Sequence, residues 1–367
     1  MNRATGVVSL SFVLLLSFSA WLVNTRWLAR HVSNLRERAA SSCSRAVPIA
    51  SAPGRPPLRL LVCLASGHFR ASRFELTARV VSEYLAFDPS RYAVTVSVDT
   101  IDATVVAALK QRFPGAGSAL QLTLWDAEQL AGAFPASAGW GGEPLEFLVS
   151  HAHRLYMHQR TTQFDLFVYT EDDMLLRQGG VDMFLEHQQA LWAKGWLPGF
   201  IREEAAFGSG EPTCSDINLE LLKGPELPRV FITEGLPNAT ALARYASFAN
   251  GPYSAVWMLT REQLEVFVSD PSKVYAAGYS EFDTRARMSW GFMYARTRDN
   301  RLLPRVLVPL VGASTDPRTH VLHLPSNYCG RNNSGWEACV AFVDLQRVLQ
   351  GVKEEQLVVH SAPPCGT

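Results

Sequence analysis

The sequence predicts an α/β domain built on a largely parallel sheet. Three observations carry this. Short, near-continuous apolar runs suit strands buried on both faces. Segments with helical periodicity alternate with them. Gly, Pro and Asp residues stand at the changeovers, where turns and helix starts need them.

The first strand is Leu58 to Ala65 (LRLLVCLA), broken by Ser66-Gly67. Cys63 within it reads as a small buried hydrophobe. Ser72, with Glu75 three residues on, has the spacing of a capping box. The helix that follows aligns Thr77, Val80, Val81, Tyr84 and Leu85 on one face. Tyr92 to Val98 is a second strand, ending at Asp99. Asp102 caps a helix that runs through Leu109 and closes at Pro114. Leu120 to Trp125 is a third strand, and Leu145, Leu148, Val149, Ala152 and Tyr156 mark another helix. Phe164 to Tyr169 (FDLFVY) is a fourth strand leading into Thr170-Glu171-Asp172-Asp173. A helix from about Val181 to Lys194 ends at Gly195, a C-cap residue.

Past Gly195 the alternation loosens. Val230 to Thr233 and Leu303 to Val311 read as strands. Thr260 with Gln263 opens a helix to Val268, and Glu281 to Arg298 reads as an aromatic-rich helix. No internal repeat is present. The body is read as one domain with two lobes.

Ahead of the body, no charged residue stands between Arg3 and Arg26. Val7 to Val23 is nearly all apolar and 17 residues long, within the roughly 17–25 that a membrane helix needs. Two readings fit: an uncleaved signal anchor, or a signal peptide cleaved near Ser17-x-Ser19. The resulting division is 1–25 anchor, 26–56 stem linker, 57–350 globular domain and 351–367 tail. Arg26, Arg30, Arg36 and Arg38 follow the apolar segment, which on charge alone keeps the body cytosolic. The triplets Asn238-Ala239-Thr240 and Asn332-Asn333-Ser334 are glycosylation acceptor patterns and point to the lumen. Cys329 and Cys339 lie ten apart, as a short disulfide or as two separate thiols.

Of 367 residues, 34 are basic and 34 acidic, giving a net charge of zero. The zero conceals a split: residues 1–56 carry +6 and the rest −6. The acidic body argues against nucleic acid as a partner. With 47% hydrophobic and 19% charged residues the chain is not of a disordered class.

The chemistry concentrates at Glu171-Asp172-Asp173. In an open parallel sheet, ligands bind at the carboxyl ends of the strands. Three adjacent carboxylates there repel one another unless a cation is near, and hard divalent cations prefer carboxylate oxygen. Continued strand alternation projects Glu171 and Asp173 to one side, with Asp172 opposite.

This stretch, FDLFVYTEDD, resembles the DxD-type motif of GT-A glycosyltransferases, with Glu171 in place of the first Asp. The layout of anchor, stem and body is similar to that of the Golgi enzymes of that group. The resemblance covers roughly residues 57 to 345. It implies a GT-A-like, Rossmann-type, mostly parallel sheet flanked by helices, with a less regular acceptor-binding half. It implies a Mn or Mg ion held by Glu171, Asp173 and His323, with His320 as runner-up. Asp99, Asp172 and Arg73 would contact the nucleotide-sugar donor, with Arg70 as an alternative phosphate contact. The acceptor is a glycan, protein or lipid, and an inverting enzyme would need a general base near its hydroxyl. Glu281 and Asp283 are the candidates, with Glu203 and Glu204 as rivals, and Trp290 or Trp257 could offer an aromatic face to the sugar. Placement in the Golgi or ER membrane as a single-pass type II protein follows from the same resemblance. The rival function is a non-catalytic lumenal protein binding glycans or partners. His151, His153 and His158 on one helix read as structural or surface residues, since HxH on a helix splays its rings apart.

Overall fold

The computed structural model describes residues 56–67, 70–133, 145–204, 213–214, 228–233, 242–248, 254–268, 294–296, 302–304, 306–325 and 340–356. The first half alternates strand and helix: β1 (Leu58–Ser66), α1 (Ala71–Leu85), β2 (Tyr92–Thr100), α2 (Ala103–Arg112), β3 (Leu120–Leu124), α3 (Ala127–Ala133), α4 (Leu145–Gln159), β4 (Leu166–Glu171), β5 (Met174–Leu175) and α5 (Gln178–Trp192). Then come β6 (Leu197–Pro198), β7 (Ile201–Glu204), β8 (Thr213–Cys214), β9 (Arg229–Thr233), β10 (Ala243–Ser247), β11 (Val256–Thr260) and α6 (Arg261–Val268). The chain continues with β12 (Tyr294–Arg296), β13 (Leu302–Pro304), β14 (Val306–Val311), β15 (Ser314–Thr315), β16 (His320–His323), β17 (Val340–Ala341), α7 (Phe342–Gly351) and β18 (Glu354–Gln356).

The central sheet has the order β11-β4-β1-β2-β3. All its pairs are parallel except β11 with β4. The expected mostly parallel α/β architecture is therefore present. Leu60 to Leu64 are completely buried because the sheet is covered on both faces. On one face Leu60, Val62 and Leu64 pack with Val80, Val81 and Tyr84 of α1 and with Val181 and Phe184 of α5. On the other, Leu61 and Cys63 pack with Tyr156 and Met157 of α4 and with Trp257 of β11. Each such large side chain contributes roughly 1.5–3 kcal/mol by leaving water.

A second sheet runs β15-β14-β10-β9-β18, with β6 beside β14. A third runs β17-β8-β7-β16-β5. In the third, β16 pairs antiparallel with β5, directly after the acidic triplet, and parallel with β7. This pairing brings chain from the second half of the sequence to the end of β4.

Local signals explain most boundaries. The Asp102 carboxylate accepts from Thr104 N at 2.8 Å, capping α2 as expected. Asp102→Ala is expected to cost about 1 kcal/mol, read as a lower urea midpoint at unchanged m-value. At α6 the box is reciprocal: Thr260 N donates to Gln263 Oε1 at 2.9 Å, and Gln263 N to Thr260 Oγ1 at 3.3 Å. Gly195, at φ 83°, lets the chain leave α5 while Trp196 N returns to Leu191 O at 3.0 Å.

Three expectations are corrected. Ser72 does not cap α1: the N-cap is Arg70, with no side-chain bond, and Ser72 lies within the first turn. β4 starts two residues late and takes Glu171 into the strand, because its partners β1 and β11 reach that far. The Glu281–Arg298 helix is not seen in its one described part, where Tyr294–Arg296 pairs with β13 as a strand; the rest of that stretch lies outside the described residues. Among the described residues no helix is long and apolar enough to cross a membrane. Val7 to Val23, both Asn-containing triplets, Cys329 and Cys339 lie outside them.

Candidate active site

The connections make the end of β4 a distinctive place. From β1 the chain steps outward to β2 and β3, then returns to lay β4 on the other side of β1. The strand order therefore reverses at β1, and in open α/β sheets ligands bind at the carboxyl ends of the strands at such a point. Ala65, Asp99 and Glu171 stand in register across β1, β2 and β4 at this end.

Glu171 is the last residue of β4, and Asp172 and Asp173 form the turn into β5. Strand alternation stops there, which corrects the expected split of Glu171 and Asp173 from Asp172. One guanidinium grips both aspartates instead. Arg73 Nη1 donates to Asp173 Oδ2 at 2.7 Å, and its Nη2 pairs with Asp172 Oδ1. Asp172 Oδ2 also accepts from Ser66 Oγ at 3.0 Å and lies 3.3 Å from Thr77 Oγ1. All three acidic residues are at most 9% exposed. Carboxylates this buried need paired partners, since uncompensated charge in the interior is costly. Burial raises the Asp172 carboxyl pKa, and Arg73 opposes the rise. For Arg73, burial works against its charge, but Asp172 and Asp173 outweigh it and raise the pKa.

His323 closes the other side. Its Nε2 is 3.3 Å from Asp173 Oδ2, and its Nδ1 is 2.9 Å from Glu204 Oε1. Pairing of His323 with Met174 and the bond from Leu324 N to Asp173 O at 2.9 Å hold the ring there. Burial disfavours the charged ring, but the Asp173 and Glu204 carboxylates prevail and raise its pKa. Glu204, fully buried, also lies 3.8 Å from Arg202 Nε.

The donor types suit a hard divalent ion: carboxylate oxygens and an imidazole nitrogen converge, and the second nitrogen of that imidazole is anchored on a carboxylate, as metal-binding histidines require. As arranged here, no group of three His, Cys, Asp or Glu side chains among the described residues is set to hold a metal. Arg73 is the cation that the two aspartates hold.

The remaining candidates fall elsewhere. Asp99 is 1% exposed and accepts from Trp125 Nε1 at 2.9 Å. Burial pushes its carboxyl up to about 7. Arg70 is exposed, before α1. His320 stacks on Phe342 at 4.1 Å and meets Glu203 at 3.1 Å and Thr315 at 2.9 Å, away from the acidic turn. Trp257 is a core residue, 6.0 Å from the Tyr169 ring, and presents no face to solvent. His151 and His153 are buried, with ring centroids 6.3 Å apart, whereas His158 is exposed. The surface alternative is thus excluded for the first two, and the rings are splayed as expected. Glu281, Asp283 and Trp290 lie outside the described residues.

Sequence reasoning did not connect Ser66, Thr77 and Glu204 to the acidic turn. Ser66 carried one available signal, its position at the end of the first buried strand. For Glu204 the sequence offers none, because its role depends on the pairing of β7 with β16.

No protein-family model and no curated protein matches the chain. Similar solved structures include an active-site mutant of LgtC, at 13% identity and TM-score 0.33 over 80% of this chain and 96% of that one. A second is the galactosyltransferase LgtC in complex with donor and acceptor sugar analogues, at 12% identity and TM-score 0.30 over the same shares, 80% and 96%. A third is mouse xyloside xylosyltransferase 1 in its apo form, at 13% identity and TM-score 0.32 over 59% of this chain and 74% of that one.

Proposed function

We propose that the protein is a glycosyltransferase that moves a sugar from a nucleotide-sugar donor to a hydroxyl of a glycan, protein or lipid. The observation that carries this reading is the acidic turn at the sheet's switch point, with Arg73 and His323 converging on it. A nucleoside diphosphate leaves only if its developing charge is neutralised. A Mn or Mg ion on Glu171, Asp173 and His323 would supply that neutralisation as a Lewis acid. Asp172, anchored by Ser66, keeps the turn in shape, and Glu204 orients the His323 ring. Arg73 brings the positive charge that an otherwise acidic body lacks for binding phosphate. Glu281 or Asp283 is assigned the part of general base toward the acceptor; Asp99, buried against Trp125, is given no part at the donor.

The same reading places the body in the Golgi or ER lumen, tethered by residues 1–25. A protease-protection assay on intact vesicles tests this: protection of the body is expected, and digestion without detergent would end the lumenal assignment. A screen of nucleotide sugars for Mn-dependent hydrolysis tests the chemistry. Release of nucleoside diphosphate from at least one donor, lost with chelator, is the expected result. No metal-linked turnover or binding of any donor would favour a non-catalytic binding protein.

A further inference from the structure

We propose that Arg73 is a built-in counter-ion that competes with the divalent cation for Asp173, so that the metal enters only as the guanidinium withdraws. This rests on the metal reading above. The contested atom is specific. Asp173 Oδ2 is 3.3 Å from His323 Nε2, which makes it the oxygen a cation shared by these two would meet beside the imidazole. The same oxygen accepts from Arg73 Nη1 at 2.7 Å. A metal-oxygen bond is about 2.1 Å long, which would bring the ion against the guanidinium at one oxygen. Two cations so close repel strongly in a poorly solvated site.

The competitor is suited to both states. Without a metal, buried carboxylates on consecutive residues would destabilise the turn, and the guanidinium fork, matched to two acceptors, offsets that. Its side chain is 37% exposed, against 4% and 7% for the two aspartates it grips. The cation is therefore the member of the group with room to move. Asp172 keeps Ser66 as a donor when Arg73 leaves, so the turn does not lose all its support. Once displaced, Arg73 remains on the first turn of α1 beside the acidic turn, as a positive charge for a phosphate group.

The test is a titration of the full chain with Mn alone, free ion being followed by electron paramagnetic resonance, in the wild type and in Arg73→Gln. Tighter Mn binding by at least about tenfold in the variant is expected, since the competitor is gone and the neutral amide cannot replace it. Arg73→Lys should fall between, because a point charge remains without the fork. Melting curves check that each variant is folded; if Arg73→Gln is not, Arg73→Lys carries the comparison. Equal or weaker Mn binding in the folded variants, with binding still abolished by Asp173→Asn, would overturn the competition and leave the metal site standing. No Mn binding by any form would overturn the metal reading, and the competition with it.

Discussion

Asp173→Ala should lower metal-dependent donor turnover by roughly 10²–10³-fold, the scale seen when one preorganised electrostatic contact is removed from an active site. The fold should survive. Asp172 keeps Arg73 and Ser66, and His323 keeps Glu204, so no charge at the turn is left without a partner. The bond from Leu324 N goes to the Asp173 backbone carbonyl and is unaffected. Steady-state turnover at saturating Mn, with a thermal melt of the same sample, measures both. Turnover within a few-fold of wild type would remove Asp173 from the mechanism.

Asp99→Asn should stabilise the protein at neutral and alkaline pH. In the fold the carboxyl titrates at about 7 because burial penalises its charge, against 3.8 ordinarily. A proton is thus bound more tightly by the folded than by the unfolded chain. Stability is undiminished below about pH 4, falls as pH rises between the two values, and stays reduced above about pH 7. A shift of this size corresponds to about 4 kcal/mol at most. The amide removes the titration while keeping an oxygen for Trp125 Nε1. Urea unfolding at pH 4 and pH 8 should give nearly equal stabilities for the two proteins at pH 4, and a clear advantage for the variant at pH 8. Equal pH dependence in both would show that folding does not raise the Asp99 pKa.

Much of the first half was legible because its signals are local. The buried runs at Leu58 and Phe164, the Asp102 cap and the Thr260–Gln263 box need only a few neighbouring residues to act. The acidic turn was legible for the same reason: three carboxylates at a strand end stand out without tertiary information. Strand order was not. That β11 runs antiparallel beside β4 depends on a return across the sheet that no local pattern encodes. Arg73 was a candidate for phosphate, but its bond to Asp173 crosses 100 residues and depends on how α1 lies over the sheet. Ser72 and Glu75 failed as a box because the helix begins before them; β1 ends at Ser66 and the chain enters α1 at Ala71. Trp257, one of two tryptophans that could offer a face to the sugar, is buried in β11, and an aromatic residue carries no mark of burial until its strand is placed.

The pairing of β16 with β5 has a consequence for the order in which the molecule is made. Ser66, Arg73 and the acidic turn all emerge early from the ribosome, and the central sheet needs little beyond β11 to be complete. His323 follows Asp173 by 150 residues. Throughout that interval the nascent chain has Arg73, Ser66 and Thr77 for its carboxylates but not the imidazole. The centre is thus finished last, after most of the chain has been synthesised. A message truncated before residue 320 would yield a sheet with the acidic turn but without its histidine.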